Sequence, residues 1–497
     1  MDKNYILSVD QSTSGTKALL VDKQGRIAAK CSKEHAQLYP QPGWVEHDAM
    51  EIYGNVQETI RRVLELAGVS PQQLAALTVT NQRETAVIWD RETGLPVHHA
   101  IVWQCRRTAG LCAELKEGGF EGLVRDKTGL VLDPYFSAGK IRWILEHLDP
   151  AYRKEAEASG RLLAGTIDSW LLWKLTGGEV HATDYTNASR TSLFNIHTLQ
   201  WDAELISLFG VGGVKLPEVK SSNAVYGVTR DAGLFPDEVP ISGVIGDSQG
   251  ALFGQMCYLP GMAKATYGTG TSVMMNIGSS PVSSRNGLVT AIAWGIDGTV
   301  HYALEGIIHS SGDSMKWVRD QMGLFTDYAE AEQQAASLQD NEGVYFVPAL
   351  VGLGAPYWSP DARAAVTGMS RRSDRRHIIR AALESIAYQV RDMVDLLQAE
   401  SGIRLQELRV DGGGAQNQFL MQYQADMLQA SVVRPAVSEL SAIGSTYLGG
   451  IGVGFWKDTE EIRSLASDET TFQPSMHPEN RDLLCQGWKK AVLSVIS

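Results

Sequence analysis

A chain of 497 residues has length for two or three domains, and a hydrophobic content of 44% is enough to build sizeable cores. The net charge of −13 argues against nucleic acid or an anionic membrane as the main partner. Five scattered cysteines (Cys31, Cys105, Cys112, Cys257, Cys485) form no CxxC or Cys/His cluster, so neither a disulfide framework nor a zinc site is expected and a reduced cytoplasm fits.

The N-terminus runs straight into a strand, Tyr5 to Val9, which is not the pattern of a signal peptide, and no apolar run approaches membrane-spanning length. Residues 5–34 read as three consecutive strands, YILSVD, TKALLVD and RIAAKCSK. The turn between the first two runs from Asp10 through Ser12, Thr13, Ser14, Gly15 and Thr16 to Lys17. Hydroxyls and backbone donors can hold phosphate oxygens, Lys17 adds positive charge, and Asp10 can hold magnesium through water. A polar hairpin loop is the plain alternative, but so many phosphate-compatible groups rarely crowd one turn. The spacing is not that of a Walker motif.

Asp48 to Gly68 predicts an amphipathic helix, with Ile52, Val56, Ile60, Val63 and Leu64 at helical spacing. The strand LAALTVT follows and ends at Asn81-Gln82-Arg83-Glu84-Thr85. An opposite-charge pair at a strand end is commonly a surface ion pair. It is also what a polyhydroxy ligand needs, since arginine donates and glutamate accepts. A hairpin through VIWD and LPVHHAIVW then delivers Trp103 beside Arg106 and Arg107. Tyr135 precedes a helix carrying Lys140 and Trp143. The segment DYTNASRTSLFNI reads as a connection rather than a site, and residues 225–238 read as a loop.

The stretch from Ile241 to Ser272 is the centre of the chain. An apolar run ends at Gly246, and Asp247 is the first residue beyond it able to carry charge. A small-residue, helix-like run follows, which places one carboxylate at a strand-to-helix junction. Asp247 alone would read as a helix N-cap. The run Tyr267-Gly268-Thr269-Gly270-Thr271 alone would read as a hairpin turn. A carboxylate and two glycine–hydroxyl turns in one chain point instead to phosphoryl transfer. The second half repeats the first: strands KATYGTG, SVMMNI, LVTAIAW and TVHYALEG, then helix–strand alternation. His377 to Glu400 predicts a long helix whose apolar stripe is core. Strand ELRVD leads into Gly412-Gly413-Gly414 and a helix beginning near Gln416, a place where a nucleotide can approach backbone. Two such halves predict a duplicated α/β fold with a nucleotide in the cleft between them.

These motifs resemble the FGGY carbohydrate kinases over nearly the whole chain. The resemblance rests on the runs 81–85, Trp103-Gln104-Cys105-Arg106-Arg107-Thr108, Gly352-Leu353-Gly354-Ala355-Pro356-Tyr357-Trp358 and 383–389, and on the segments 135–147 and 364–384. It implies an actin/hexokinase-like ATPase fold, α/β, with two domains built on ribonuclease-H-like cores. We expect one domain over 1–252, with the polyol site and first phosphate loop, and a nucleotide-binding domain over 253–497. The implied reaction is ATP- and magnesium-dependent phosphorylation of a primary hydroxyl, of glycerol foremost, or of a four- to five-carbon polyol or ketose. A cytoplasmic homodimer or homotetramer is implied.

Carried over residue by residue, Asp247 is the expected catalytic base. Arg83, Glu84, Trp103, Tyr135, Ser248 and Ser272 are expected to contact the polyol. Thr13, Ser14, Gly15, Lys17, Thr269, Gly270, Gly312, Lys316, Gly414 and Gln418 are expected around the nucleotide, with Asp10 and Asp247 at the metal. Lys17 stands where arginine is usual, Lys316 where glutamine is, and Gln418 where asparagine is. Glycerol-phosphorylating members carry glutamine at Ser248 and phenylalanine at Ser272. Both differences shrink the side chain, which either widens the pocket for a longer polyol or is made up by neighbours.

Overall fold

The computed structural model describes residues 3–231, 233–465 and 468–496. In the first half lie β1 (Tyr5–Gln11), β2 (Gly15–Asp22), β3 (Ile27–Glu34), α1 (Ala49–Ala67), β4 (Leu74–Asn81), β5 (Val225–Val228), β6 (Pro240–Gly246) and α2 (Asp247–Gly254). The six strands form one sheet in the order β5-β6-β4-β1-β2-β3. Strands β1 to β3 are antiparallel neighbours, and β4 and β6 add in parallel on the other side of β1. In the second half lie β7 (Met262–Tyr267), β8 (Thr271–Gly278), β9 (Val289–Ile296), β10 (Thr299–Ile308), α3 (Gly312–Asp320), α4 (Arg375–Ser401), β11 (Glu407–Asp411), α5 (Gln418–Leu428), β12 (Ser431–Pro435), α6 (Leu440–Gly452) and β13 (Glu469–Phe472). Their sheet runs β9-β10-β8-β7-β11-β12-β13. Here β7, β8 and β10 are antiparallel, and β11 and β12 add in parallel. Both sheets therefore share one plan, three antiparallel strands followed by two parallel ones. This is the duplicated α/β architecture of the actin/hexokinase-like ATPases.

Local sequence explains the elements. β1 and β4 are almost wholly buried, as strands covered on both faces must be. Helix α1 buries Ile52, Val56, Ile60, Val63 and Leu64 against the sheet. It starts where the Asp48 side chain accepts from the N–H groups of Met50 and Glu51, and it stops at Gly68 with φ +63°. Three expectations change in detail. Residues 225–228 are an edge strand rather than loop, because Val225 and Val228 find pairing partners on β6; Ala232 in that segment lies outside the described residues. The hairpin after Thr85 yields short strands, 86–90, 95–96 and 100–101, in a separate sheet with 46–47 and 162–166. The glycines after β11 lead into one 3-10 turn, so the helix begins at Gln418.

Helix α6 is late in the chain, yet it packs on the first sheet beside α2. The Ser445 hydroxyl lies 3.0 Å from that of Ser8 and 3.1 Å from that of Thr78, all buried. Ile443 and Leu448 join Ile6, Ile245, Leu252 and Phe253 in one apolar cluster. Glycines allow this approach: a Cβ at Gly444 would stand 1.9 Å from the Gly250 carbonyl oxygen, and one at Gly254 2.2 Å from that of Leu440. We predict that Gly444→Ala forces the two helices apart and destabilises the protein by about 1–3 kcal/mol, seen as a lowered melting temperature. An unchanged melting temperature would show that the crossing yields freely.

Candidate active site

A cavity of about 360 Å³ opens where the ends of β4 and β6 face the hairpin between β7 and β8. Arg83, Glu84, Trp103, Tyr135, Asp247 and Ser272 all line it. Arg83 and Glu84 follow β4 directly. Glu84 takes φ +61°, a left-handed conformation that costs a non-glycine residue about 1 kcal/mol or more. Asp247 opens α2 directly after β6. The N-cap of α2 is Gly246, so Asp247 does not fill the cap position it would have as a purely structural residue. Its carboxylate is about one-third exposed (35%), with Oδ1 3.3 Å from Arg83 Nε and accepting from the Ser248 N–H at 2.7 Å.

At the cavity wall lies a buried network of four charges, three of which (Arg83, Glu84 and Glu305) line it. Arg83 Nη2 is 3.2 Å from Glu305 Oε1, and Arg190 Nη1 is 3.0 Å from Glu305 Oε2. Arg190 Nε also pairs with Glu84 Oε1. Gln249 accepts from Arg83 Nη1 at 3.1 Å. The Arg190 guanidinium also sits over the rings of Tyr135 and Phe136, at 5.7 and 5.2 Å. Burial pushes the Glu305 carboxyl up, but Arg83 and Arg190 outweigh it and bring it down to about 2. Burial and Glu84 raise the Tyr135 phenol, which therefore stays a protonated donor.

Arg190 corrects the reading of its segment as a mere connection. Glu305 was read only as part of a strand. A single acid inside the apolar run YALEG was the available signal for Glu305; among the serines, threonines and asparagines around Arg190 there was none.

The first glycine–hydroxyl turn borders the same cavity through Thr13, whose Oγ1 accepts from the Trp103 indole N–H at 2.9 Å. Trp103 in turn stands edge-on to Tyr135, with centroids 5.4 Å apart. Ser14 is exposed at the tip. Gly15 is required by packing, since a Cβ there would lie 2.7 Å from the Lys33 carbonyl oxygen. The Lys17 ammonium is 2.8 Å from Glu439, immediately before α6. Asp10 is buried, and among the described residues its Oδ1 has no hydrogen-bond partner. Burial lifts its carboxyl to about 7, with Lys17 opposing and Asp247 and Glu439 adding to the rise.

The second turn is held by the start of α3: the Gly312 N–H donates to the Gly268 carbonyl, and those of Ser311 and Asp313 to the Thr269 carbonyl, each at 3.1 Å. A Cβ at Gly270 would lie 2.4 Å from the Ile308 carbonyl oxygen, and one at Gly312 2.3 Å from that of Gly268. Thr269 is exposed beside it. Gly414 approaches Tyr267 so closely that a Cβ would stand 2.9 Å from the Tyr267 Cβ. Lys316 and Gln418 are exposed on α3 and α5, and neither lines the cavity around Asp247.

Ser248 and Ser272 both line the cavity. The Ser272 hydroxyl is 3.5 Å from Glu305 Oε1, a weak contact at best. Its cross-strand neighbour Ile307 also faces the cavity and supplies apolar wall.

We predict that Glu305→Gln destabilises the protein by about 3–5 kcal/mol, because two buried guanidiniums lose their shared counter-ion. The Glu305 carboxyl lies near 2 in the folded protein against an ordinary value of 4.5. Its stabilisation is therefore complete above about 4.5 and lost as the pH falls from there toward 2. Acid unfolding followed by circular dichroism should show that slope in the parent and a shallower one in Glu305→Gln. Equal slopes would refute it.

Similarity to known proteins agrees with this geometry. Residues 5–254 match the N-terminal domain model of the FGGY family of carbohydrate kinases, and residues 263–453 match its C-terminal domain model. A glycerol kinase of Xanthomonas campestris pv. campestris is 51% identical over 99% of this chain and 98% of its own. Glycerol kinase 2 of Thermotoga maritima is 51% identical over 98% of each. The crystal structure of Plasmodium falciparum glycerol kinase with ADP superposes with a TM-score of 0.94 at 36% identity, covering 100% of this chain and 99% of that one. The chain belongs to the FGGY family of carbohydrate kinases.

Proposed function

We propose that the protein phosphorylates a primary hydroxyl of glycerol, giving sn-glycerol 3-phosphate. The observation that carries this reading is the position of Asp247. Its carboxylate borders a cavity that also holds Arg83, Glu84, Trp103 and Tyr135, and both glycine–hydroxyl turns reach that cavity. ATP supplies the transferable γ-phosphoryl group when bound. Arg83 donates to the polyol hydroxyls and Glu84 accepts from them, while Tyr135 adds a phenolic donor. Trp103 and Ile307 wall the carbon chain. Asp247 accepts the proton of the attacking hydroxyl as its oxygen bonds to phosphorus and the bond to ADP breaks.

Donors on the turns at Thr13–Lys17 and Thr269–Gly270 neutralise charge on the transferring group. Gly312, Lys316, Gly414 and Gln418 border the nucleotide beyond the second turn. Asp10 and Asp247 suit a hydrated magnesium ion: the orphaned Asp10 Oδ1 wants a partner, and magnesium keeps most of its water while taking one or two carboxylates. Such an ion would neutralise the phosphates. The working parts divide between a polyol-side domain, 1–252, and a nucleotide-side domain, 253–497. All five cysteines are free, as suits a reducing cytoplasm, and no described helix is long and apolar enough to cross a membrane.

The deciding measurement is ATP consumption across glycerol, dihydroxyacetone, erythritol, threitol, xylitol and common ketoses. Turnover of none of them would overturn the reading. We expect Asp247→Asn to lose roughly 10²–10⁴-fold in kcat with ATP binding retained. Near-normal turnover in that variant would remove Asp247 from its role.

A four-carbon polyol is a second reading, favoured by Ser248 and Ser272. Both face the cavity with small polar side chains able to take an additional hydroxyl. We predict that Ser272→Phe combined with Ser248→Gln raises kcat/KM for glycerol and lowers it for the tetritols, by the ~1–3 kcal/mol typical of one pocket contact. Parallel kinetics on glycerol, erythritol and threitol check this. A parent enzyme that strongly prefers glycerol, with no gain in the double variant, would mean that Ile307 already closes the wall.

A further inference from the structure

The turn at Ser12–Gly15 has an uneven distribution of hydrogen bonds. Every one of its carbonyls is occupied from within the protein. Ser12 O accepts from Gln11 Nε2 at 2.8 Å. Thr13 O accepts from Gln37 Nε2 at 2.9 Å, and Ser14 O from the His35 N–H at 3.3 Å. Gly15 O accepts from the Ser12 N–H at 2.9 Å. Among the described residues, the N–H groups of Thr13 and Ser14 have no protein acceptor. A carbonyl turned toward a phosphate would repel it, whereas a free N–H attracts it. A turn whose acceptors are tied back and whose donors are free is an anion cradle.

The groups that tie it back form a chain of their own. Gln37 Oε1 lies 2.8 Å from His47 Nε2, and His47 Nδ1 lies 3.3 Å from Gln82 Nε2. Gln82 Oε1 accepts from Thr85 Oγ1 at 2.8 Å, and Thr85 Oγ1 accepts from the Trp103 backbone N–H at 3.3 Å. The Trp103 indole N–H then returns to Thr13 Oγ1 at 2.9 Å. One consistent set of donors serves the circuit: Nε2 of His47 carries its proton and Nδ1 accepts, while the two Gln82 Nε2 hydrogens go to His47 Nδ1 and to Gln11 Oε1 at 2.9 Å, so that Gln82 orients the Gln11 amide that holds Ser12 O. Burial keeps that imidazole neutral by pushing it down to about 3, with His35 adding to the fall. The circuit therefore keeps one protonation pattern throughout the neutral range.

We propose that Gln37, His47 and Gln82 are positioning residues for phosphoryl transfer, holding the carbonyls of the Ser12–Ser14 turn away from the cleft and joining that turn to the polyol wall at Trp103. None of the three lines the cavity, so they act through Thr13 and Trp103, which do. The inference rests on the reading of this turn as a phosphate cradle. A circuit of this kind fixes how far the transferring phosphorus sits from the polyol oxygen, because one side chain, Trp103, touches both sites. A displacement of about 1 Å at such a site costs on the order of 10²-fold in rate.

Gln37 is the residue to change, since it is half-buried on a loop and carries no core packing. Gln37→Met keeps its length and removes both its donor and its acceptor. We expect kcat/KM for ATP to fall on the order of 10- to 100-fold. Glycerol affinity without nucleotide, measured by calorimetry, should stay within about twofold of the parent, because the polyol contacts are untouched. Gln37→Glu should lower kcat/KM for ATP further still, since it aims a carboxylate at the Thr13 carbonyl. It also decides the matter if Gln37→Met fails to fold. A purely structural role would instead lower the melting temperature and leave both constants alone. If Asp247→Asn is inactive while both Gln37 variants keep kcat/KM for ATP within about twofold, the positioning role is wrong and the active site stands. If Asp247→Asn is itself active, the site reading falls, and this inference falls with it.

Discussion

The rest of this structure depends on the buried network of Arg83, Glu84, Arg190 and Glu305. Isolated, any one of these charges would be prohibitive to bury. Together they alternate in sign, and each guanidinium meets two carboxylates. Three distant segments have to meet to form the network. Arg83 and Glu84 come from the end of β4, Arg190 from a turn in the first half, and Glu305 from β10 in the second sheet. The network thereby locks the two halves together at the cavity wall. It also fixes two side chains that line the cavity: Arg83 turns its Nε to Asp247, and Glu84 keeps its strained backbone because Arg190 holds its carboxylate.

A second constraint is backbone proximity. The second glycine–hydroxyl turn and the glycines after β11 can form only where no side chain intervenes, and Gly270, Gly312 and Gly414 are each pressed against backbone or a Cβ atom. The same device recurs where α2 crosses α6. One strategy, close packing of bare backbone, thus serves both the turns beside the cavity and the joint behind them. The joint is close to the cavity, because Asp247 is the first residue of α2 and lines it. Any relative movement of α6 and α2 is transmitted to the Asp247 carboxylate within one helical turn.

How much of this was legible in the chain can be traced residue by residue. β1, β2, β4 and α1 were legible because a buried strand and an amphipathic helix leave local periodicity. Asp247, Arg83 and Glu84 were legible because each is a charge at the end of an apolar run. Arg190 was not legible. Its meaning comes from Glu305, 115 positions away, and no local pattern encodes a partner at that distance. Lys17 is a similar case. Its place in the turn was legible, but its contact with Glu439, 422 positions away, depends on where α6 docks. The edge strand at 225–228 was hidden because its pairing is supplied by β6 rather than by its own alternation. The roles carried over from family resemblance entered through motif matches, and composition alone would have left the reaction open.

The placement of α6 bears on how the chain is made. The first sheet is translated early, but its face around Ile6, Val21 and Ile245 is covered by Ile443, Leu448 and Trp456, which emerge some two hundred residues after Ile245. Until then the nascent half carries an apolar surface covered only in part, by Leu252 and Phe253 of α2. The ribosome must therefore release nearly the whole polypeptide before the first-made sheet is complete. In a growing chain that surface is the natural target for a chaperone that binds exposed hydrophobic segments.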